Sequence, residues 1–395
     1  MEELTAIRSR KGLSQLLNIS YFSKDFKIIC CYQLILKIID GMIGLFLPIF
    51  LLEAYHQSLS LVIIFYIIGY TLFGLLVPLG AIIMSKIGLK QSMISARLIS
   101  VLFYLFLFYF KNNPLVFSIL AIAVLTIFRM LYWTPYHTNF THITHRDSRG
   151  KQVAYVAIVG YITSMAAPLL AGFVLYQYGF NFMFILGIII VGLSVIPLFF
   201  LTPVPVKFEF SFWQTFKEWA KKENANLRIA YISNGAQDLV GAIIWPIFIY
   251  QLLEKQYLAV GAVSALIIGG TILLYLFTGQ YTDKFNKKKI LRYGSFIYSV
   301  GWLLKTIIST AFQIFVIGTI HSFTAVLLNT PFSALMYEKA ADRGSYVDEY
   351  TVLMEISDIL GRILMGLLIL GLLWIGGFKI IFILAALFSL LINLL

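Results

Sequence analysis

Acidic residues are scarce in this chain and cysteine is close to absent. Of 395 residues only 18 are Asp or Glu and two are Cys. Cys30 and Cys31 are adjacent, a spacing that strains a disulfide, and no second pair exists to complete a metal knuckle, so both are read as inert. Charged residues of either sign make up 12% of the chain against 60% hydrophobic ones, which excludes an ordinary soluble domain because too little polar surface remains to face water. There is no His-Glu-x-x-His, no Gly-x-Ser-x-Gly and no glycine-lysine phosphate loop, so neither a hydrolase nor an ATP-driven pump is indicated. The net charge of +12 would suit nucleic acid only on the basic face of a soluble domain. Here the bases fall in short clusters between apolar runs, the pattern that sets membrane orientation. No nucleic-acid partner, cofactor or metal is expected.

What is present is a series of twelve apolar runs, near 27–53, 58–85, 92–110, 114–137, 152–177, 180–201, 228–252, 257–280, 290–310, 312–337, 349–374 and 375–395. Each is long enough to cross a hydrocarbon layer of roughly 30 Å, and each must be helical to satisfy its own backbone groups there. Lys86, Lys90 and Arg97, then Arg146, Arg149 and Lys151, then Lys284, Lys287, Lys288, Lys289 and Arg292, then Lys339 and Arg343 all fall on one side. The other side has little beyond Lys111, Lys255 and Lys379. This asymmetry predicts a multi-pass protein of the plasma or inner membrane with both termini cytoplasmic. Residues 1–26 read as a cytoplasmic lead-in. Residues 202–227 read as a cytoplasmic linker with an amphipathic helix around Phe212-Trp-Gln-Thr-Phe216 on the inner leaflet.

The chain repeats itself. Asp40-Gly-Met-Ile-Gly-Leu-Phe-Leu-Pro48-Ile-Phe50 returns as Asp238-Leu-Val-Gly-Ala-Ile-Ile-Trp-Pro246-Ile-Phe248, and a Leu-Leu-Glu triplet closes each run at Glu53 and at Glu254. An acid inside an apolar helix is costly unless it faces a partner or a wet cavity, and a matched pair points to duplicated architecture. Thr134-Pro135-Tyr136 in the fourth run is likewise matched by Thr330-Pro331-Phe332 in the tenth.

A second repeat lies in the loops: Ser85-Lys86-Ile-Gly88-Leu-Lys90 after the second run, and Gly279-Gln-Tyr-Thr-Asp283-Lys284-Phe-Asn-Lys287-Lys288 after the eighth. A glycine, then an acid, then bases around a tight turn resembles the loop signature of the major facilitator superfamily. Ser85 replaces the acid in the first copy and Asn286 a glycine in the second. The resemblance covers essentially the whole chain. It implies an all-α integral membrane protein, twelve transmembrane helices in two pseudo-symmetric six-helix bundles (27–201 and 228–395), with the first, fourth, seventh and tenth lining a central cavity. Residues Ala167-Pro168-Leu-Leu-Ala171-Gly172 are similar to the Gly-Pro-x-x-Gly-Gly signature of proton-coupled exporters in that family, and small residues at such a place also serve helix packing.

The cavity candidates are Lys37, Asp40, Arg129, Trp133, Gln237, Asp238, Trp245, Asn329, Glu355, Asp358 and Arg362. Lys37 and Asp40 stand three apart, and Glu355, Asp358 and Arg362 share one helical face, so intrahelical pairs compete with functional roles. Arg129 resembles by position the fourth-span arginine of proton-coupled members, although the glycine expected five residues on is Thr134. Lys305, near the outer end of its run, is expected to snorkel. His137, His142 and His145 do not share a helical face and are read as solvated rather than as a metal site. The expected function is secondary transport of a small-molecule substrate by a monomer in the lipid bilayer, coupled to protons through Asp40, Asp238 or the Glu355–Asp358 pair, with export preferred over uptake. Two alternatives stay open. One is carriage of a small anion, sugar or metal ion, with Arg129 and Lys37 holding the anionic group. The other is a non-transporting sensor or assembly factor on the same fold.

Overall fold

The computed structural model describes residues 23–143, 149–203, 208–278, 287–341 and 347–394, and its regular structure is entirely helical among them. The first helix, α1 (Lys24–Ala54), starts where the Ser23 hydroxyl accepts the Phe26 N–H. It buries Phe26, Ile29, Leu36, Ile39, Ile43, Phe46 and Ile49, a stripe at helical spacing. The chain continues through α2 (Leu59–Ile87), α3 (Leu89–Phe108) and α4 (Pro114–Ile143). A long bent helix, α5 (Arg149–Leu198), breaks at Gly179, where φ is +74°. Asp25 of α1 accepts the Thr202 backbone N–H just beyond α5 at 3.0 Å, fastening the two helix ends. A short linker helix, α6 (Phe212–Ala220), opens with a capping box between Ser211 and Gln214, and its Trp219 indole donates to the Ser357 hydroxyl.

The second half of the chain holds α7 (Ala225–Leu239) and α8 (Trp245–Leu252), joined by a π turn over Val240–Ile244. Then follow α9 (Tyr257–Thr278), α10 (Lys287–Leu304), α11 (Ala311–Ala341) and α12 (Val347–Leu391), the last broken at Gly377 with φ +55°. Among the described residues nine helices are long and apolar enough to cross a membrane. Two of these, Thr163–Leu198 and Glu349–Leu394, run to 36 and 46 residues, well beyond the ~20 that one crossing needs. The protein is a multi-pass membrane protein.

Backbone geometry repeats at one interval. Asp238 follows Asp40, Pro246 follows Pro48 and the Gly377 break follows the Gly179 break by 198 positions each. The turn after α1 puts His56 and Gln57 at positive φ, and the turn after α8 does the same to Glu254 and Lys255, again 198 positions later. Their hydrogen bonds match one for one: Gln57 N–H reaches Leu52 O at 2.7 Å, and Lys255 N–H reaches Tyr250 O at 2.9 Å. This register corrects the Leu-Leu-Glu alignment. Glu254 corresponds to His56, and the counterpart of Glu53 is Gln251.

Small residues set the closest helix crossings. Gly235 of α7 lies on the Asp358 carbonyl of α12 and Gly361 of α12 on the Ile232 carbonyl of α7, with no room for a Cβ at either. Gly172 of α5 and Gly261 of α9 make a similar crossing, against the carbonyls of Tyr257 and Pro168. The residues that resemble an exporter signature therefore join helices from the two halves of the sequence.

Candidate functional site

The α7–α12 crossing brings Gln237, Asp238, Asp358 and Arg362 together. Arg362 is 2.6 Å from Asp358 and 3.4 Å from Asp238, so one guanidinium serves two carboxylates unequally. The Asn234 amide donates to Asp358 at 2.9 Å, and the Gln237 amide donates to Asp238 at 3.0 Å and to the Asn234 Oδ1 at 3.3 Å. Tyr298 of α10 donates its hydroxyl to the Gln237 Oε1 at 2.7 Å. That last bond sets the direction of the rest. With its oxygen taken by a donor, Gln237 must offer its NH₂ to Asp238 and Asn234, and Asn234 in turn offers its own to Asp358.

Arg362 also lies over the Tyr70 ring of α2 at 5.2 Å, and Arg129 of α4 lies over the same ring at 4.6 Å. Glu355 interacts electrostatically with Asp358, Arg362 and Arg129. One phenol from the first half of the chain is thus shared by a base from each half. Asp238 keeps 46% of its side-chain surface exposed, against 24% for Arg362 and 13% for Asp358.

Asp40 stands apart from this network. It is exposed, and its charged neighbours are Arg97 of α3 and Lys37. The expected Lys37–Asp40 ion pair is not formed within 4 Å among the described residues. Gln33, Lys37 and Asp40 follow one another along one side of α1, and one turn on at Gly44 an added Cβ would meet nothing within 4 Å. Arg97, placed by sequence in the basic loop cluster, is instead only 4% exposed. It donates to the Tyr32 hydroxyl at 2.6 Å and stacks on Tyr132 at 4.0 Å.

Trp245 faces a different cluster. Lys305 is 3% exposed and holds its ammonium 4.0 Å from the Trp245 ring and 3.9 Å from the Trp302 ring. It does not snorkel; two indole faces take the place of water around it. His321 of α11 completes the cluster, stacked 4.3 Å from the Tyr298 ring. Trp133 is exposed and packs on Tyr132 and Tyr136, and Asn329 is exposed on α11.

At the end of α1 the two halves meet through hydrogen bonds. Glu53 accepts from the hydroxyls of both Tyr250, on α8, and Tyr257, at the start of α9. The two phenols stack 5.6 Å apart, and Phe46 and Phe180 pack edge-on against Tyr257.

Residues 29–228 match the Major Facilitator Superfamily, which is half of the chain. The chain belongs to that superfamily. Its members are transporters, not enzymes. The chain is also 25% identical over 252 residues to the uncharacterized protein YqgE of Bacillus subtilis (strain 168), covering 61% of this chain and 58% of that relative.

Of the superfamily loop signature, the first copy is described and most of the second is not. Gly88, at φ +89°, closes α2 by donating to the Met84 carbonyl and opens α3. Ser85 donates to the Ile82 carbonyl, Lys86 is exposed, and Lys90 donates to the Phe199 carbonyl at 2.7 Å. The serine that replaces the family's acid is thus spent on its own helix. In the second copy Gly279, Asp283 and Lys284 lie outside the described residues, while Lys287 and Lys288 open α10. His145 and the side chains of His137 and His142 also lie outside them.

Asn234, Tyr70, Tyr298 and His321 escaped the sequence reading. The signal available for Asn234 was its place one turn before Asp238. For His321 it was a lone imidazole inside an apolar run. The phenols carried none, because the chain has 23 tyrosines.

Proposed function

We propose that this protein is a secondary transporter of a small solute that works by alternating access between two six-helix halves, residues 27–201 and 228–395. Counting α5 and α12 as two spans each at their glycine breaks turns the nine apolar helices into eleven, and this reading takes α10 (Lys287–Leu304), which is not among the nine, as the twelfth. The constant interval of 198 between the halves supports this reading. With the basic loops and both termini on the cytoplasmic side, Glu53, Tyr250 and Tyr257 stand at the outer end, and their contact makes this a conformer closed to the outside.

The observation that carries the proposal is the network of Asp238, Arg362 and Asp358 resting on Tyr70 of the opposite half. Ionisable groups at membrane depth mark ion and substrate paths. Arg362 has two acids to choose between, and each acid can hold either the guanidinium or a proton. Exchange of one for the other as the halves rock would couple proton movement to the change of access. Export, on the likeness of residues 167–172 to the exporter signature, is the direction favoured.

The test is reconstitution into liposomes with a pH dye inside. A ligand is first found by thermal-shift screening at two pH values. Its gradient should drive proton movement through the wild type and not through Asp238→Asn or Asp358→Asn. Ligand flux with no proton movement in the wild type would remove the coupling and leave a uniporter.

A further inference from the structure

We propose that the linker helix α6 is a clasp, fastened to the second half of the chain, that holds the molecule in the conformer closed to the outside. Its release at one end of the molecule opens the other. The clasp rests on the alternating-access reading above.

The two faces of α6 differ. Phe216 and Trp219 pack on the hydrophobic core and Thr215 is fully buried, while Trp213, Lys217 and Ala220 are exposed. The apolar stripe is therefore turned on the protein. The helix packs on α12 and also on α2, and so touches both halves. Its bonds are one-sided. Among the described residues every hydrogen bond that leaves the linker from α6 goes to the second half. The Trp219 indole donates to the Ser357 hydroxyl of α12 at 2.9 Å. Arg228 of α7 donates to the Trp219 carbonyl at 2.5 Å, and its guanidinium lies 5.3 Å from the same indole. Ser357 is fully buried and gives its own proton to the Leu353 carbonyl, which leaves its oxygen to accept.

The place of that anchor decides what the clasp does. α12 rests on α2 where Ile359 lies over Gly74 and where Gly366 meets Ile67. Ser357 is two residues from Ile359, so α6 enters the angle between α2 and α12 beside a point where they touch. Nearer its start, α12 faces the linker across a cavity of about 270 Å³, with Leu353, Tyr350 and Glu349 on one side and Phe210 and Gln214 on the other. Docking thus depends on a few point contacts rather than a continuous seam, and a segment held in that way opens locally without unfolding the rest. With the outer ends tied at Glu53, α6 occupies the angle between α2 and α12 at the inner end. The opposite conformer closes that angle, and α6 must leave it.

The experiment changes the inner end and reads the outer one. The full chain in lipid nanodiscs, with Cys30 and Cys31 replaced by Ser, is spin-labelled at Lys111 and Gln256, both exposed, and measured by pulsed dipolar spectroscopy. Trp219→Phe keeps a ring and removes the donor, and should raise the longer-distance population about fivefold, the worth of one neutral hydrogen bond. Ser357→Ala should do the same, and the double variant no more than either, because both remove one bond. Lys217→Gln, on the exposed face, should change nothing. The clasp is overturned, and alternating access is not, if Glu53→Gln shifts the populations while Trp219→Phe and Ser357→Ala leave them as in the parent. It is overturned equally if the two substitutions add, since the side chains would then act separately. One unchanged distribution in every variant, Glu53→Gln included, overturns both readings.

Discussion

Replacing Glu53 by Gln should open the outer end of the molecule. The carboxylate accepts two phenol hydroxyls from the other half of the chain. Hydrogen bonds to a charged group contribute roughly 1.5–3 kcal/mol each and neutral ones roughly 0.5–1.5 kcal/mol. The amide keeps one acceptor and loses the charge, so the two contacts together lose about 2 kcal/mol. That corresponds to about a 30-fold shift in the ratio of closed to open conformers. Spin labels at Lys111 and Gln256 suit the measurement: both are exposed, and they sit on opposite halves at the same end, where Phe110 packs on Tyr55 at 5.7 Å. With Cys30 and Cys31 replaced by Ser, pulsed dipolar spectroscopy should show a longer-distance population in Glu53→Gln that is minor in the parent. Tyr250→Phe and Tyr257→Phe should each give a smaller shift, because each removes one bond. Superimposable distance distributions in the parent and Glu53→Gln would show that the contact does not hold the end shut.

The central network makes its own predictions. Arg362→Leu leaves Asp358 without its cation and should destabilise by about 3 kcal/mol, read as a lower melting temperature in detergent. Adding Asp358→Leu should restore part of the loss. Tyr298→Phe frees the oxygen of a buried Gln237 and should cost about 1–3 kcal/mol; an unchanged melting temperature would mean the amide is not directed by that hydroxyl. Lys305→Met replaces a caged ammonium by an apolar chain of similar length, so the melting temperature should hold or rise. A clear fall would show that the indole contacts outweigh the cost of burying the charge.

Periodicity carried the architecture, since helices in lipid must be both long and apolar, and Asp40 and Asp238 marked the repeat. Short-range likeness then misled. Leu-Leu-Glu occurs twice, but the second copy is displaced by three residues from the register that the backbone keeps, so Glu53 alone reaches the tyrosines. Arg97 was read with the loop bases near it, although α3 begins at Leu89 and carries it more than two turns inward. Lys305 stands close to a helix end, where snorkelling is the ordinary outcome, and only the fold shows two indoles waiting for it. Network partners such as Tyr298 and Asn234 depend on which helices cross. No spacing in one chain encodes that.

The π turn at Val240–Ile244 separates Asp238 from Tyr250 on what is otherwise one rod. Its hydrogen bonds reach one residue further back than those of an α-helix, and Pro246 offers no N–H to reinforce them. A rod with such a joint does not pass torque intact from middle to tip. The acid can exchange its partner while the phenol stays docked, or the phenol can let go first, so the two events need not share a single barrier.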